Sequence, residues 1–303
     1  MKSEYNSKGQ VILYGLLMLL FAVSCSGNKN DAPAACAGMQ EVLDSIIDSH
    51  QGITGVAVLS GDSLVIAGDT TQLPLMSVFK MHIAIAVLDK GIPVDSVISL
   101  DASKIRENTY SPLRDKVGVR DIDITVDSLL YYSVCRSDNN ACDFLIELAG
   151  GINAVDSCIR RLGINDFVLT ETENSMHEDI SRSYLNRSTP EALCRVIEAV
   201  FSGRALSPEL TEYLVGLLGK SSTSLDKIAA GIPHEAFLGH KSGMSDRNAD
   251  GVRMATSDVG AFRRPDGSNV FIAILIKDTP ETDEQSTALF KDITSAVYSS
   301  YTE

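Results

Sequence analysis

Ser77-Val78-Phe79-Lys80 places a hydroxyl and an amine three residues apart at the head of an apolar run, Val78 to Leu88, that predicts a buried helix. On a helix, positions i and i+3 share a face, so the Lys80 amine can reach the Ser77 oxygen. A serine hydroxyl is a weak nucleophile until a neighbouring base takes its proton. The unpaired N–H groups of a helix N-terminus add a preference for negative charge nearby. The chemistry on offer is nucleophilic catalysis by serine.

The pattern Ser-x-x-Lys occurs at Ser26–Lys29, Ser77–Lys80 and Ser224–Lys227, and only the second opens a long apolar helix. Three further groups follow it in order. Ser137-Asp138-Asn139 precedes a helical pattern. Glu173 lies in a long non-periodic segment, Thr170 to Thr189, that also carries Glu171, Glu178 and Asp179. Lys241-Ser242-Gly243 ends a β-rich run. A structureless loop of that length inside a compact domain is usually functional or disordered.

The elements that must position these groups divide by composition. Met39 to Ser49 has helical periodicity. Gly55 to Ser60 and Ser63 to Ala67 are β-rich and joined by Gly61-Asp62, which predicts a hairpin. From the Ser77 helix to about Lys227 the pattern is mainly helical. The clearest helices are Thr125 to Tyr132, Asn140 to Ala149, Ala154 to Leu162, Pro190 to Phe201 and Pro208 to Leu218. Strands return at Ala236 to Lys241, Gly251 to Ser257 and Asn269 to Ile276, with an Arg264-Pro265-Asp266-Gly267 turn before the last. A final helix is expected from Asp283 to Ser300. The fold class is therefore α+β: an antiparallel sheet built from both ends of the chain, flanked by helices, with an all-helical insertion.

The 303 residues carry a net charge of −14 and no basic block, which argues against a nucleic-acid partner. The five histidines include no His-x-His or His-Glu-x-x-His, and the six cysteines no Cys-x-x-Cys, so zinc and thioredoxin-type sites are unsupported. Cys36, Cys135, Cys142, Cys158 and Cys194 read as free thiols. No Gly-x-Ser-x-Gly elbow and no glycine-rich phosphate loop is present.

In order and spacing the set resembles the class A serine β-lactamases, whose signature is Ser-x-x-Lys, Ser-Asp-Asn and Lys-Thr-Gly. Thr109 to Lys116 resembles the loop that carries the family's gate aromatic, Ser137 to Asp143 and Thr172-Glu173 with Met176-His177 resemble the cephalosporinase branch in particular, and Ser257 to Gly260 with the Arg264-to-Gly267 turn completes the set. The resemblance runs from about Met39 to the C-terminus. It implies the serine β-lactamase / D,D-peptidase-like fold and a reaction that needs no metal or cofactor. Ser77 would attack the lactam carbonyl, with Lys80 as base or proton relay and Ser137 passing a proton to the leaving nitrogen. Glu173 would activate the deacylating water, with Glu171 as its competitor for that role. The oxyanion would meet the backbone N–H groups of Ser77 and Met244. Lys241, Ser242 and Gly243 would take the substrate carboxylate, helped by a second cation: Lys227, with Arg247 and Arg253 as alternatives. Tyr110 would be the gate aromatic, Asn139 would contact the substrate's amide side chain, and His177 would stand beside the water.

Two departures accompany the match. Serine replaces threonine at Ser242, which keeps the hydroxyl. His177 stands where many members have asparagine. A D-alanyl-D-alanine peptidase shares the serine and lysine, but the loop glutamate argues against it; a lactam sensor or binder without turnover is opposed by the complete set of catalytic residues.

The N-terminus reads as an export signal over residues 1–25: Lys2 and Lys8, an apolar stretch from Val11 to Val23, and Ala22-Val23-Ser24-Cys25, which resembles a lipoprotein box with Cys25 as the lipidated residue. A tether is expected over 26–37, an α/β subdomain from 38–75 and 228–303, and a helical subdomain over 76–227 holding the loop 170–189. The expected setting is the periplasm, with possible membrane attachment through Cys25, and the expected state is a monomer.

Overall fold

The computed structural model describes residues 31–302, with side chains from residue 38 onward. The leader and Cys25 lie outside the described residues. In chain order, helix α1 (Asp31–Asp48) is followed by strands β1 (Ile53–Ser60), β2 (Ser63–Gly68) and β3 (Leu73–Pro74), and by helix α2 (Lys80–Asp89). Strand β4 (Val97–Leu100), helix α3 (Pro112–Val117), strand β5 (Ile122–Thr125) and helices α4 (Val126–Leu130), α5 (Asn139–Ala149) and α6 (Ile152–Arg161) come next. Strand β6 (Phe167–Val168), helix α7 (Glu173–Glu178) and strand β7 (Arg187–Ser188) lead to helices α8 (Pro190–Phe201) and α9 (Pro208–Leu218). The chain closes with β8 (Leu238–Met244), β9 (Arg253–Arg263), β10 (Asn269–Thr279) and α10 (Asp283–Thr302).

The main sheet is antiparallel, in the order β2-β1-β10-β9-β8, so the chain's two ends meet where β1 pairs β10. The hairpin at Gly61-Asp62 sets the β1–β2 register, with Ser60 opposite Ser63. Both faces of the sheet are covered, and side-chain alternation sorts its residues into two cores. Val56, Val58, Ile272, Ile274 and Ile276 pack with Leu43 of α1 and Leu289, Phe290 and Ile293 of α10. Ala57, Leu59, Ala273 and Leu275 face the other way, into the core shared with α2 and α8. Helix α2 is apolar all round and buried along its length, the pattern of a helix at the centre of a bundle.

Helix starts follow local chemistry. Thr189 and Ser207 cap α8 and α9, each with proline in the first turn, where a missing N–H costs nothing. Asp138 caps α5 by accepting from the Ala141 N–H at 2.8 Å, and Gly150 ends that helix in the left-handed region at φ 101°.

Several expectations change. The stretch expected as a tether is helical from Asp31 on. The insertion is not all-helical: β4 and β5 pair as a two-stranded ribbon, and β3, β7 and β6 form a small third sheet. The Ser77 helix opens as a 3₁₀ turn, Met76–Phe79, before α2 begins at Lys80. The segment 170–189 is folded, with α7, a 3₁₀ turn at Ile180–Tyr184 and strand β7.

Candidate active site

Ser77 lies in the 3₁₀ turn, just after Met76, whose φ is +48°. Ser137, before α5, has φ +56°, and Ser224 has φ +54°. Non-glycine residues in this region carry strain of roughly 1–3 kcal/mol each. All three border one cleft of about 730 Å³, together with Tyr110, Asn139, Glu173, His177, Ser242, Gly243 and Met244.

Lys80 is the hub. Its Nζ donates to Ser77 Oγ at 3.0 Å, to the Ser137 carbonyl at 2.7 Å and to Asn139 Oδ1 at 2.7 Å. It also stands 2.9 Å from Glu173 Oε1. Ser77 Oγ donates to the same Glu173 oxygen at 3.3 Å. The Lys80 ammonium is fully buried, so burial of its charge is offset by these partners rather than by water.

Glu173 is held from below. Asp143 of α5 accepts the backbone N–H groups of Glu173 and Asn174 at 2.8 and 2.9 Å. Burial, and then the neighbouring Glu173 charge, push the Asp143 carboxyl up to about 7. Thr172 caps α7 through a capping box with Ser175. Buried Asn186 accepts from the N–H groups of Thr170 and Glu171, both at 2.9 Å, and returns a bond to the Glu171 carbonyl. Glu171 is spent on this framework, accepting from Ser175 Oγ at 2.6 Å and pairing with Arg182. Only Glu173 of the two faces the serine.

The Ser-Asp-Asn turn is fixed by its middle residue. Buried Asp138 accepts from Ser111 Oγ and from the Leu113 N–H at 2.6 Å, tying the Tyr110 loop to α5. The Asn139 N–H donates to the Tyr110 carbonyl at 3.0 Å. Asn139 Nδ2 donates to Thr109 Oγ1 at 2.8 Å, so both ends of this amide are engaged. Tyr110 is 56% exposed at the cleft rim.

Lys241 enters from the edge strand β8. Its Nζ donates to Ser137 Oγ at 3.1 Å and to the Ser242 carbonyl at 2.7 Å. Burial, reinforced by the Lys80 charge, lowers its pKa to about 7. Ser242 Oγ lies 3.3 Å from Thr223 Oγ1. The Ser245 N–H donates to the Ala255 carbonyl at 2.9 Å, so Ser245/Ala255 and Gly243/Ser257 are the hydrogen-bonded pairs of the ladder. Met244 falls in a non-bonded pair, and its N–H therefore points away from β9. Gly243 lets β8 press on the serine turn: a Cβ there would stand 2.8 Å from Ser77 N and 2.7 Å from the Leu75 carbonyl oxygen.

Lys227 does not join the group assembled at the cleft. It is buried on the α10 side of the sheet, its Nζ donating to the carbonyls of Gly243 at 3.0 Å and Ser257 at 3.4 Å and lying 5.3 Å from the Phe290 ring centre. The cation that borders the cleft is Arg253, which donates to the Ser245 carbonyl and pairs with Asp283 at 2.5 Å. Arg247 shares that aspartate at 2.6 Å. Asp143 ends the Ser137-to-Asp143 stretch that carries the resemblance but takes no role from it, and nothing in the sequence marks Asn186 or Thr223; the roles of all three depend on contacts between distant segments.

Comparison with known proteins agrees with this geometry. The profile of the Beta-lactamase enzyme family matches residues 38–301. A β-lactamase of Bacteroides uniformis is 40% identical, over 86% of this chain and 90% of the relative. The extended-spectrum β-lactamase PER-1 of Pseudomonas aeruginosa is 28% identical, over 92% of each chain. The crystal structure of a class A β-lactamase from Bacteroides cellulosilyticus DSM 14838 superposes with a TM-score of 0.85 at 36% identity, covering 88% of this chain and 98% of that one. This chain therefore belongs to the beta-lactamase enzyme family, as a class A serine β-lactamase that hydrolyses the cyclic amide of β-lactams.

Proposed function

We propose that Ser77 is the nucleophile and Glu173 the base that makes the reaction a hydrolysis. The observation that carries this is the triangle of Ser77 Oγ, Lys80 Nζ and Glu173 Oε1, with sides of 3.0, 2.9 and 3.3 Å. Lys80 Nζ stands within 3.0 Å of four oxygens, the Ser137 carbonyl, Asn139 Oδ1, Ser77 Oγ and Glu173 Oε1, so its N–H groups are shared among them. As Oγ bonds to the lactam carbonyl carbon, Lys80 Nζ takes the Ser77 proton at 3.0 Å while giving one of its own to Ser137 Oγ, 3.5 Å away. Lys80 is thereby restored, and Glu173 is left for the second half of the reaction. The negative charge that develops on the carbonyl oxygen is taken by the N–H groups of Ser77 and Met244.

Breaking the carbon–nitrogen bond leaves an amine that takes a proton from Ser137 Oγ, which Lys80 resupplies with the proton it took from Ser77. In the second half, water attacks the ester carbonyl and gives its proton to Glu173. The Ser77–acyl bond breaks, and Glu173 returns that proton to Ser77 Oγ, 3.3 Å away, which restores both groups. Lys241, Ser242 and Arg253 hold the substrate carboxylate. Tyr110, His177 and Met244 line the side-chain end of the cleft. The likeness to extended-spectrum relatives supports a cephalosporin preference.

Class A β-lactamases are generally exported. The leader pattern over residues 1–25 supports a periplasmic monomer, anchored by a lipid on Cys25. Among the described residues no helix is long and apolar enough to cross a membrane. Mass spectrometry of the detergent-extracted mature protein tests the anchor: a diacylglyceryl mass on Cys25 supports it, and an unmodified N-terminus downstream of Cys25 excludes it. The catalytic assignment is tested by intact mass during turnover of Ser77→Ala and Glu173→Gln. The first should form no adduct, and the second should form one that persists.

A further inference from the structure

Lys227 is a buried cation outside the cleft, and the group it touches is part of the cleft wall. Its Nζ donates to the Gly243 carbonyl at 3.0 Å, while Phe290 closes over it from α10. The Gly243 carbonyl and the Met244 N–H are the two ends of one peptide group. The β8–β9 register points the carbonyl toward Lys227 and Ser257 and the N–H away from β9. Gly243 sets that peptide directly against Ser77, where an added Cβ would stand 2.8 Å from the Ser77 nitrogen.

A cation on a carbonyl oxygen draws charge from the peptide nitrogen and strengthens the N–H as a donor, because hydrogen bonds in series polarise one another. Away from water this effect is weakly screened. Burying an ammonium costs free energy that an apolar residue of the same volume would avoid, so plain space-filling does not explain a lysine here. The charges that face it are Asp258, Asp226 and Asp283, which favour the ammonium, and Arg253 and Lys241, which oppose it.

We infer that Lys227 is a positioning residue for lactam hydrolysis: its hydrogen bond to the Gly243 carbonyl orients and polarises the Gly243–Met244 peptide so that the Met244 N–H is pre-set to receive the oxyanion. The inference rests on the reading of Met244 N–H as an oxyanion donor. It differs from a carboxylate-binding role, because Lys227 acts through the peptide and touches no substrate.

The test compares the wild-type chain with Lys227→Met and with Lys227→Gln, which keeps a polar donor and suits the same pocket if methionine is not tolerated. With a chromogenic cephalosporin, both should lower kcat by roughly 10- to 100-fold, less than the roughly 100- to 1,000-fold for removing an oxyanion donor outright, and change KM by less than about threefold. The specific readout is the infrared carbonyl band of the acyl-enzyme, trapped in a Glu173→Gln background. Loss of Lys227 should move that band to higher wavenumber, toward the value of the denatured acyl-enzyme, because a less polarised ester carbonyl is stiffer. Wild-type kcat in both variants would overturn the inference. So would reduced activity with an unmoved band, since that marks a structural role only. If the parent band already matches the denatured ester, the oxyanion reading itself fails, and the inference falls with it for that separate reason.

Discussion

Asp143 holds Glu173 by its backbone: the aspartate's two carboxylate oxygens accept the N–H groups of Glu173 and Asn174 at 2.8 and 2.9 Å. The proposed base is thus set by a residue of α5, a helix that also supplies Asn139 to the cleft. Asp143→Ala should leave acylation close to wild type and slow deacylation by about 10- to 100-fold, since a small displacement of a catalytic group carries a cost of that size. Pre-steady-state burst kinetics separate the two steps. Equal slowing of both would show that Asp143 acts on more than the base.

The same carboxyl makes a stability prediction, in opposition to His82. Asp143 sits at about 7 in the folded chain against an ordinary 3.8, so the folded state binds more protons and stability falls as pH rises through that window. His82 is fully buried in α2, and burial lowers it to about 4 from 6.5. The unfolded state therefore binds more protons between those values, and stability rises with pH there. The effects are roughly 4 kcal/mol for Asp143 and roughly 3 kcal/mol for His82, and their signs oppose. Urea denaturation from pH 4 to 6.5 should show a downward slope with pH in His82→Leu and a steeper upward slope in Asp143→Asn than in wild type.

Lys241 predicts an alkaline limb. Its ammonium is needed for the substrate carboxylate, and its pKa in the free protein is about 7. In the pH profile, kcat/KM should fall as pH rises through that value. The bound carboxylate favours the charged form, so kcat should hold to higher pH. A kcat/KM flat to pH 9 would remove Lys241 from this role.

Arg253 is the second cation this structure favours for the carboxylate. Arg253→Ala should raise KM about tenfold with little change in kcat, the loss expected for one charge-assisted hydrogen bond. Arg247 pairs with Asp283 at the same place, so Arg247→Ala serves as the control and should change KM less than threefold.

Gly243→Ala tests the close approach of β8 to the serine turn. The new Cβ would meet the Leu75 carbonyl oxygen at 2.7 Å and Ser77 N at 2.8 Å, and backbone atoms cannot swing aside as a side-chain tip can. A loss of at least about 100-fold in kcat is expected from the displaced oxyanion donor, with the circular dichroism of the fold retained.

The residues of the cleft were legible in the sequence because the motifs resemble, in order and spacing, those of the class A serine β-lactamases, and two of them also sit at boundaries that periodicity can see. Ser77 stands at the start of an apolar run and Asn139 at the start of an amphipathic helix, whereas Lys241, expected to end a strand, lies in the middle of β8, which runs on to Met244. The helices Pro190–Phe201 and Pro208–Leu218 carry their proline and capping signals locally and begin and end where periodicity puts them. The segment 170–189 hid its order because its pieces are short and are stitched by Asp143 and Asn186, contacts that no local pattern encodes. Lys227 misled for a related reason. The turn before it, with Ser224 at φ +54°, precedes a side chain buried on the α10 side of the sheet, and only the tertiary packing reveals which side that is.

The central claim is that Glu173 turns a Ser77 acyl-enzyme into a hydrolytic cycle. Intact-mass spectrometry of Glu173→Gln mixed with a cephalosporin tests it most directly. One stoichiometric adduct on the chain, persisting for minutes while the wild-type chain shows none at the same time, is the predicted result. Free Glu173→Gln with fully hydrolysed cephalosporin at that time would contradict the account and move the deacylating base to another residue.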